Sequence, residues 1–203
     1  MRPVIYTQRV EIVEAYGERR DAADQRIADF ICACGFLPVS VPNGTHKVEL
    51  IFQCVHPAGI ILTGGNSLAK YGGDAPERDE TDRILLGLAV KEQMPLYGFC
   101  RGMQSILDYF GNALAEVQGH VAVRHKVRGV GAESEVNSYH RQGCLELASS
   151  EMEVLRKAAD GVIEEVRHRS LPIHGTMWHP ERENPFREMD VAMVRDLFGG
   201  NRG

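Results

Sequence analysis

Two short segments, "AGIILTGG" (residues 58–65) and "PLYGFCRG" (residues 95–102), are apolar without alternation and then break at glycine-bearing corners. An unbroken apolar run of that length suits a strand covered on both faces, and such strands belong to parallel sheets flanked by helices. "PVIYT" and "LPVSVP" read as two further strands. Helical patterns lie between them. "RRDAADQRIADFICACGF" places Ala22, Ile27, Phe30 and Ile31 on one side and stops at Gly35. "HKVELIFQCV" and residues 101–110 follow the same logic, and "RDETDRILLGLAVKEQ" has the acidic first turn that a helix dipole favours. Strands alternating with helices predict an α/β fold with a mostly parallel central sheet. Ligands on such sheets bind beyond the carboxyl ends of the strands, where "TQR", "TGGNS" and "FCRG" fall.

The second half changes character. "ALAEVQG", "EVNSYH", "LELASS", "VIEEVRH" and "LPIHGTMW" are strand-like pieces separated by turn residues, and they are expected to extend or flank the sheet. "FREMDVAMVRDLFG" closes the chain as a helix. With no repeat or linker between these parts, residues 1–203 are expected to form one domain.

A net charge of −5 gives no reason to expect nucleic acid, although local arginines can still hold a small anion. No apolar run is long enough to span a membrane. The first twenty residues lack the apolar core and cleavage site of a signal peptide, so the cytoplasm is the expected compartment. Five cysteines, an odd number, argue against a disulfide framework, and Cys32 with Cys34 reads as helix packing. The eight histidines contain no HExxH motif or other metal-ligand spacing, so neither a metal nor a cofactor is expected. The pattern leaves the oligomeric state open.

The corner Gly98-x-Cys100-x-Gly102 carries the chemistry. A cysteine there is either buried structure or a nucleophile held on a turn so tight that its side chain is thrust outward. The start of a helix also stabilises a thiolate. "WHPE" supplies a base: in an extended segment His179 and Glu181 face one side, and Glu181 can fix the tautomer of the imidazole. Alone, His-Pro-Glu is also a common surface turn. Gly65, at the end of the buried run "IILTGG", can aim its N–H at the same corner as the N–H of Arg101. Two such donors make an oxyanion hole, and an ordinary glycine turn is the bland alternative.

Taken together and in this order, "LTGG", "GFCRGMQ", "NSYHRQ" and "WHPE" resemble the class I glutamine amidotransferase-like fold, a flavodoxin-like arrangement. The resemblance is to the γ-glutamyl hydrolase branch, which includes the γ-glutamyl-γ-aminobutyrate hydrolases. It implies Cys100, His179 and Glu181 as a catalytic triad, and Gly65 and Arg101 as the oxyanion-hole backbone. It further implies that Gly64, Gln104 and the strip Asn137, Ser138, Tyr139 and His140 hold the glutamyl group. The implied reaction attacks a γ-glutamyl amide through the thiol, releases the amine and hydrolyses the thioester.

The leaving group is a separate question. Length and an arginine-bearing N-terminal segment most resemble the hydrolases of γ-glutamyl-CDP-amidates, which serve the phosphoramidate decoration of capsular polysaccharide. In that reading Arg9, Arg19, Arg20 and Arg78 grip phosphate. The same "ERRD" is also how a solvated helix begins. A γ-glutamyl-γ-aminobutyrate or other γ-glutamyl amine substrate is the alternative. So is a glutaminase subunit that passes ammonia to a synthase, although the arginine after the cysteine is what stand-alone hydrolases carry. A non-catalytic binding role would leave the triad without a purpose.

Overall fold

Val4, Ile5, Ile60, Ile61, Leu62, Leu96 and Tyr97 are all at most 1% exposed, so the strands that carry them have no wet face. In the computed structural model, which describes residues 1–199, these strands are the parallel half of a nine-stranded sheet. The first half of the chain runs β1 (Pro3–Thr7), β2 (Arg9–Val13), β3 (Glu18–Ala22), α1 (Gln25–Ala33), β4 (Leu37–Val41), α2 (Thr45–Val55) and β5 (Gly59–Leu62). It continues through α3 (Pro76–Glu92), β6 (Leu96–Phe99) and α4 (Arg101–Tyr109). The second half contributes β7 (Ala115–Glu116), β8 (Val121–Gly129), β9 (Ser134–Tyr139), β10 (Gln142–Gly143), β11 (Met152–Ala158), β12 (Ile163–His168), β13 (Ile173–Thr176) and α5 (Glu188–Gly199).

The strand order is β4-β1-β5-β6-β13-β12-β11-β8-β9. Pairing is parallel from β4 to β13 and antiparallel from β13 to β9. One apolar cluster joins the sheet to α2, α3 and α4 through Val48, Leu85, Leu86 and Ile106. A second joins it to α1 and α5 through Ile27, Phe30, Ile31, Val194 and Phe198. Three layers result, as the alternation of strands and helices predicts. Residues 200–203, the tail of the expected domain, lie outside the described residues. Among the described residues no helix is long and apolar enough to cross a membrane.

Two expectations need correction. The helix expected from Arg19 begins only at Gln25, where Asp24 accepts a hydrogen bond from the N–H of Arg26 at 2.9 Å. Residues before it form the hairpin β2–β3, which turns at Gly17 (φ +70°) and pairs Arg9 with Ala22 and Ile12 with Arg19. "LELASS" forms bends and turns, apart from an isolated bridge at Cys144 beside it. Three strands escape the sequence pattern, the two-residue β10 among them. β8 is exposed over most of its length, and His125 interrupts the alternation of Val121, Val123 and Val127. β11 buries every third residue, Met152, Leu155 and Ala158, because irregular pairing at Val154/Arg156 and Arg156/Lys157 shifts its register.

Candidate active site

Strands β1, β5, β6 and β13 run parallel, so the segments leaving their carboxyl ends emerge on one side of the sheet. There Arg9, Gly64, Gly65, Cys100 and His179 line one cavity of about 410 Å³. The corner after β6 is the sharpest element. Cys100 takes φ +51°, ψ −111°, a region that costs a side-chain-bearing residue roughly 1–3 kcal/mol. Its neighbours have to be glycine because the turn leaves no room. A Cβ on Gly102 would sit 2.0 Å from the carbonyl oxygen of Leu62, and one on Gly98 would sit 2.6 Å from the main chain of Gly102. The main-chain N–H of Cys100 donates to the carbonyl of Thr176 at 2.8 Å, which ties the corner to β13.

His179 follows β13 and is buried. Its main chain is bracketed by Asn137, which accepts from the N–H and donates to the carbonyl, both at 2.9 Å. Its ring sits edge-on between Phe99 and Tyr139, each 5.6 Å away between ring centres. The Nδ1 lies 2.7 Å from Oε1 of Glu181, itself buried. That contact places the hydrogen on Nδ1 and leaves Nε2, which has no aligned hydrogen-bond partner among the described residues. Burial disfavours the charged imidazole, but the charge of Cys100 and then the Glu181 carboxylate outweigh it and raise the His179 pKa from 6.5 to about 10. A thiol, an imidazole and a carboxylate so disposed can carry nucleophilic acyl transfer.

The oxyanion candidates have matching surroundings. Gly65 takes φ +141°, and a Cβ there would fall 2.6 Å from the Cβ of Arg9. The Arg101 N–H belongs to the first position of α4, where no intrahelical acceptor exists. The Arg101 side chain turns away from the cavity and pairs with Asp82, Asp79 and Ser105.

The remaining expected residues scatter. Tyr139 lines the cavity. Gln104 is buried and donates to the carbonyl of Gln142 at 2.9 Å. Ser138 is buried and donates to the carbonyl of His120 at 2.8 Å, while Asn137 serves the main chain of His179. His140 points instead into a cluster with His120 and Glu164. Arg78 is fully buried, donating to Thr7 Oγ1 at 2.6 Å, the carbonyl of Thr63 at 2.9 Å and Asp82 at 3.0 Å, and it does not line the cavity. Arg19 is held by Glu77 and the carbonyl of Asp74, and Arg20 by Glu18 and Tyr16, so neither lines the cavity. Arg9 alone of those four does, paired to Glu11 at 2.6 Å.

Sequence reasoning missed Arg182, Asp24 and Glu11 on the cavity wall. Arg182 could have been found, since it directly follows the His-Pro-Glu motif; its guanidinium stacks 4.2 Å over the ring of Tyr139. Asp24 and Glu11 arrive through a hairpin that the sequence disguised. Sequence spacing also gave no sign of a grouping that the fold assembles: His120, His140 and Glu164 each bring one ligand atom within 4.8 Å of the others.

Comparison with known proteins bears on the family and the fold. Residues 18–198 match the family model of glutamine amidotransferase class-I. The chain is 32% identical over 190 residues to a γ-glutamyl-CDP-amidate hydrolase of Campylobacter jejuni, covering 91% of this chain and 92% of that one. It is 26% identical to a γ-glutamyl-γ-aminobutyrate hydrolase of Escherichia coli O157:H7, covering 91% and 86%. A glutamine-hydrolysing GMP synthase component of Methanosphaera stadtmanae is 27% identical over 74% of this chain and 78% of its own. In fold, the solved structure of a GMP synthase component from Thermoplasma acidophilum superimposes with a TM-score of 0.73 at 18% identity, covering 98% and 93%. The chain belongs to the class I glutamine amidotransferase family.

Proposed function

We propose that this protein is a cysteine-dependent hydrolase of γ-glutamyl amides. The observation that carries the reading is one cavity lined by a strained Cys100 and by His179, whose Nδ1 is engaged by Glu181 at 2.7 Å. The Cys100 sulfur attacks the side-chain carbonyl carbon of the γ-glutamyl group. The developing oxyanion is received by the N–H groups of Gly65 and Arg101. As the C–N bond breaks, His179 delivers its proton to the departing nitrogen, and the glutamyl group remains as a thioester on Cys100. Water then attacks that carbonyl, gives its proton to His179, and glutamate leaves as the thiolate returns.

A nucleotide-linked γ-glutamyl amide, of the CDP-amidate kind, is the substrate that best suits the cavity wall. Two lines support it. The Campylobacter relative is more similar than the γ-aminobutyrate hydrolase, at 32% against 26% identity. Arg9 and Arg182 stand on the cavity wall, where a phosphate on the scissile nitrogen would meet guanidinium groups. The products are then glutamate and the nucleoside diphosphate amidate, which fits the expected place in capsular phosphoramidate synthesis.

The test is to incubate the purified chain with glutamine, γ-glutamyl-γ-aminobutyrate and γ-glutamyl-CDP-amidate, and to measure released glutamate. A preference for the nucleotide substrate supports the narrow reading, and a preference for the γ-aminobutyrate conjugate moves the assignment to that substrate. Glutamine hydrolysis that appears only when a synthase is added overturns the stand-alone hydrolase.

A further inference from the structure

We propose that His120, His140 and Glu164 form a site for a tetrahedral divalent cation of the zinc class, apart from the Cys100 cavity. The Nδ1 of His120 lies 3.2 Å from Nε2 of His140 and 3.2 Å from Oε1 of Glu164. The same Glu164 oxygen is 3.4 Å from Nε2 of His140 and 3.4 Å from Nε2 of His125. Zinc bonds of about 2.0–2.1 Å to nitrogen and oxygen separate tetrahedral ligands by about 3.3–3.4 Å. The triangle of His120, His140 and Glu164 already has the dimensions of one face of such a tetrahedron.

The outward-facing nitrogens point the same way. The Nε2 of His120 lies 2.8 Å from Oδ2 of Asp160, and the Nδ1 of His140 lies 3.1 Å from the carbonyl oxygen of Gln142. Both contacts call for a hydrogen on the outer nitrogen, so each neutral ring turns a bare lone pair inward. This is how ligating imidazoles are held: the second nitrogen donates to a carboxylate or a carbonyl. Two lone pairs facing each other at 3.2 Å repel, and a cation between them removes the conflict. In the metal-free chain a proton on His120 Nδ1 bridges the two rings as an N–H···N bond, which still leaves both Glu164 oxygens without an aligned donor. Both Glu164 oxygens are buried with no aligned hydrogen-bond partner among the described residues, though Oε1 lies within ion-pair distance of His120, His125 and His140. Close approach without hydrogen-bond alignment is what shared coordination produces.

The site fastens the residue before β8, the residue after β9, and β12 to one another. That matters for the neighbouring cavity, because β9 carries Asn137, which brackets His179, and the main-chain carbonyl of Glu164 accepts from the N–H of Met177 at 2.8 Å. The three protein ligands leave the fourth position of the tetrahedron to water, and the role of the ion is to tie these segments together.

The experiment strips the full-length chain with a chelator and then titrates it separately with Zn²⁺ and Co²⁺. The proposal expects one equivalent per chain, a raised Tm, and a tetrahedral cobalt spectrum free of thiolate-to-cobalt charge transfer. Cys100→Ser should keep this uptake, and His120→Ala should lose it. Should His120→Ala fail to fold, the wild-type cobalt spectrum and Cys100→Ser still decide the matter. Wild type that takes up neither metal, a thiolate charge-transfer band, loss of uptake in Cys100→Ser, or full uptake by a folded His120→Ala would each overturn it.

Discussion

The main-chain N–H of Cys100 donates to the carbonyl oxygen of Thr176 at 2.8 Å, three residues before His179. Strands β6 and β13 lie side by side, with Phe99 in register with Thr176, so the thiol and the imidazole leave neighbouring strands at the same level. Almost eighty residues separate them along the chain, and one backbone hydrogen bond fixes their relation in space. The sheet therefore sets where Cys100 and the segment bearing His179 emerge.

His179 should hold its proton well past neutrality. Its pKa is raised from 6.5 to about 10, and among the raising influences Cys100 stands ahead of Glu181. Histidine NMR titration should show the imidazolium losing its proton near pH 10 in wild type. Cys100→Ser should lower that pKa, and Glu181→Gln should lower it less. The sign for stability follows: the raised folded-state pKa gives stability that is complete below about pH 6.5 and lost as pH rises through about 10. An unchanged His179 titration in Cys100→Ser would remove the thiol from its environment.

The strain at Cys100 is separable from its chemistry. At φ +51°, ψ −111° any side chain is penalised, so Cys100→Ala keeps the strain and Cys100→Gly releases it. Urea unfolding should find Cys100→Gly more stable than Cys100→Ala by ~1–2 kcal/mol, a part of the usual strain range. Equal stabilities would mean that the corner relaxes when the thiol is gone.

Arg78 should act on stability. It is fully buried and shares Asp82 with Arg101, which is equally buried. Removing one member of such a group leaves buried charge uncompensated, and Arg78→Met should cost about 3–5 kcal/mol in urea unfolding. A raised KM with an unchanged unfolding midpoint would return Arg78 to the substrate.

Arg9 and Arg182 should divide substrates. Each lines the cavity, and Arg182 is braced on Tyr139 at 4.2 Å. Arg182→Met should raise KM for γ-glutamyl-CDP-amidate about tenfold, which is ~1.4 kcal/mol of binding, and leave γ-glutamyl-γ-aminobutyrate nearly unaffected. Equal losses on both substrates would make Arg182 a support for Glu181, whose carboxylate lies 3.8 Å from it.

What could be read in the sequence follows a physical divide. The elbow was legible because a turn with no space at Gly98 and Gly102 admits few residues, and because His179 and Glu181 lie within one short motif. The buried parallel strands were legible because they lack a wet face. The β2–β3 hairpin was not: most of its residues are exposed, and "ERRDAADQR" satisfies helix and strand about equally until Asp24 caps α1. β11 hid behind a three-residue burial rhythm that its irregular pairing creates. The grouping of His120, His140 and Glu164 left no local spacing to find, because sheet pairing alone assembles it.

The central claim is a glutamyl thioester on Cys100, and trapping it is the most direct measurement. γ-Glutamyl-CDP-amidate mixed with enzyme and quenched in acid within a turnover should add the mass of one glutamyl group to the peptide that carries Cys100. Cys100→Ala should add nothing and release no glutamate. Turnover that persists in Cys100→Ala, or an adduct on any other residue, would contradict the account.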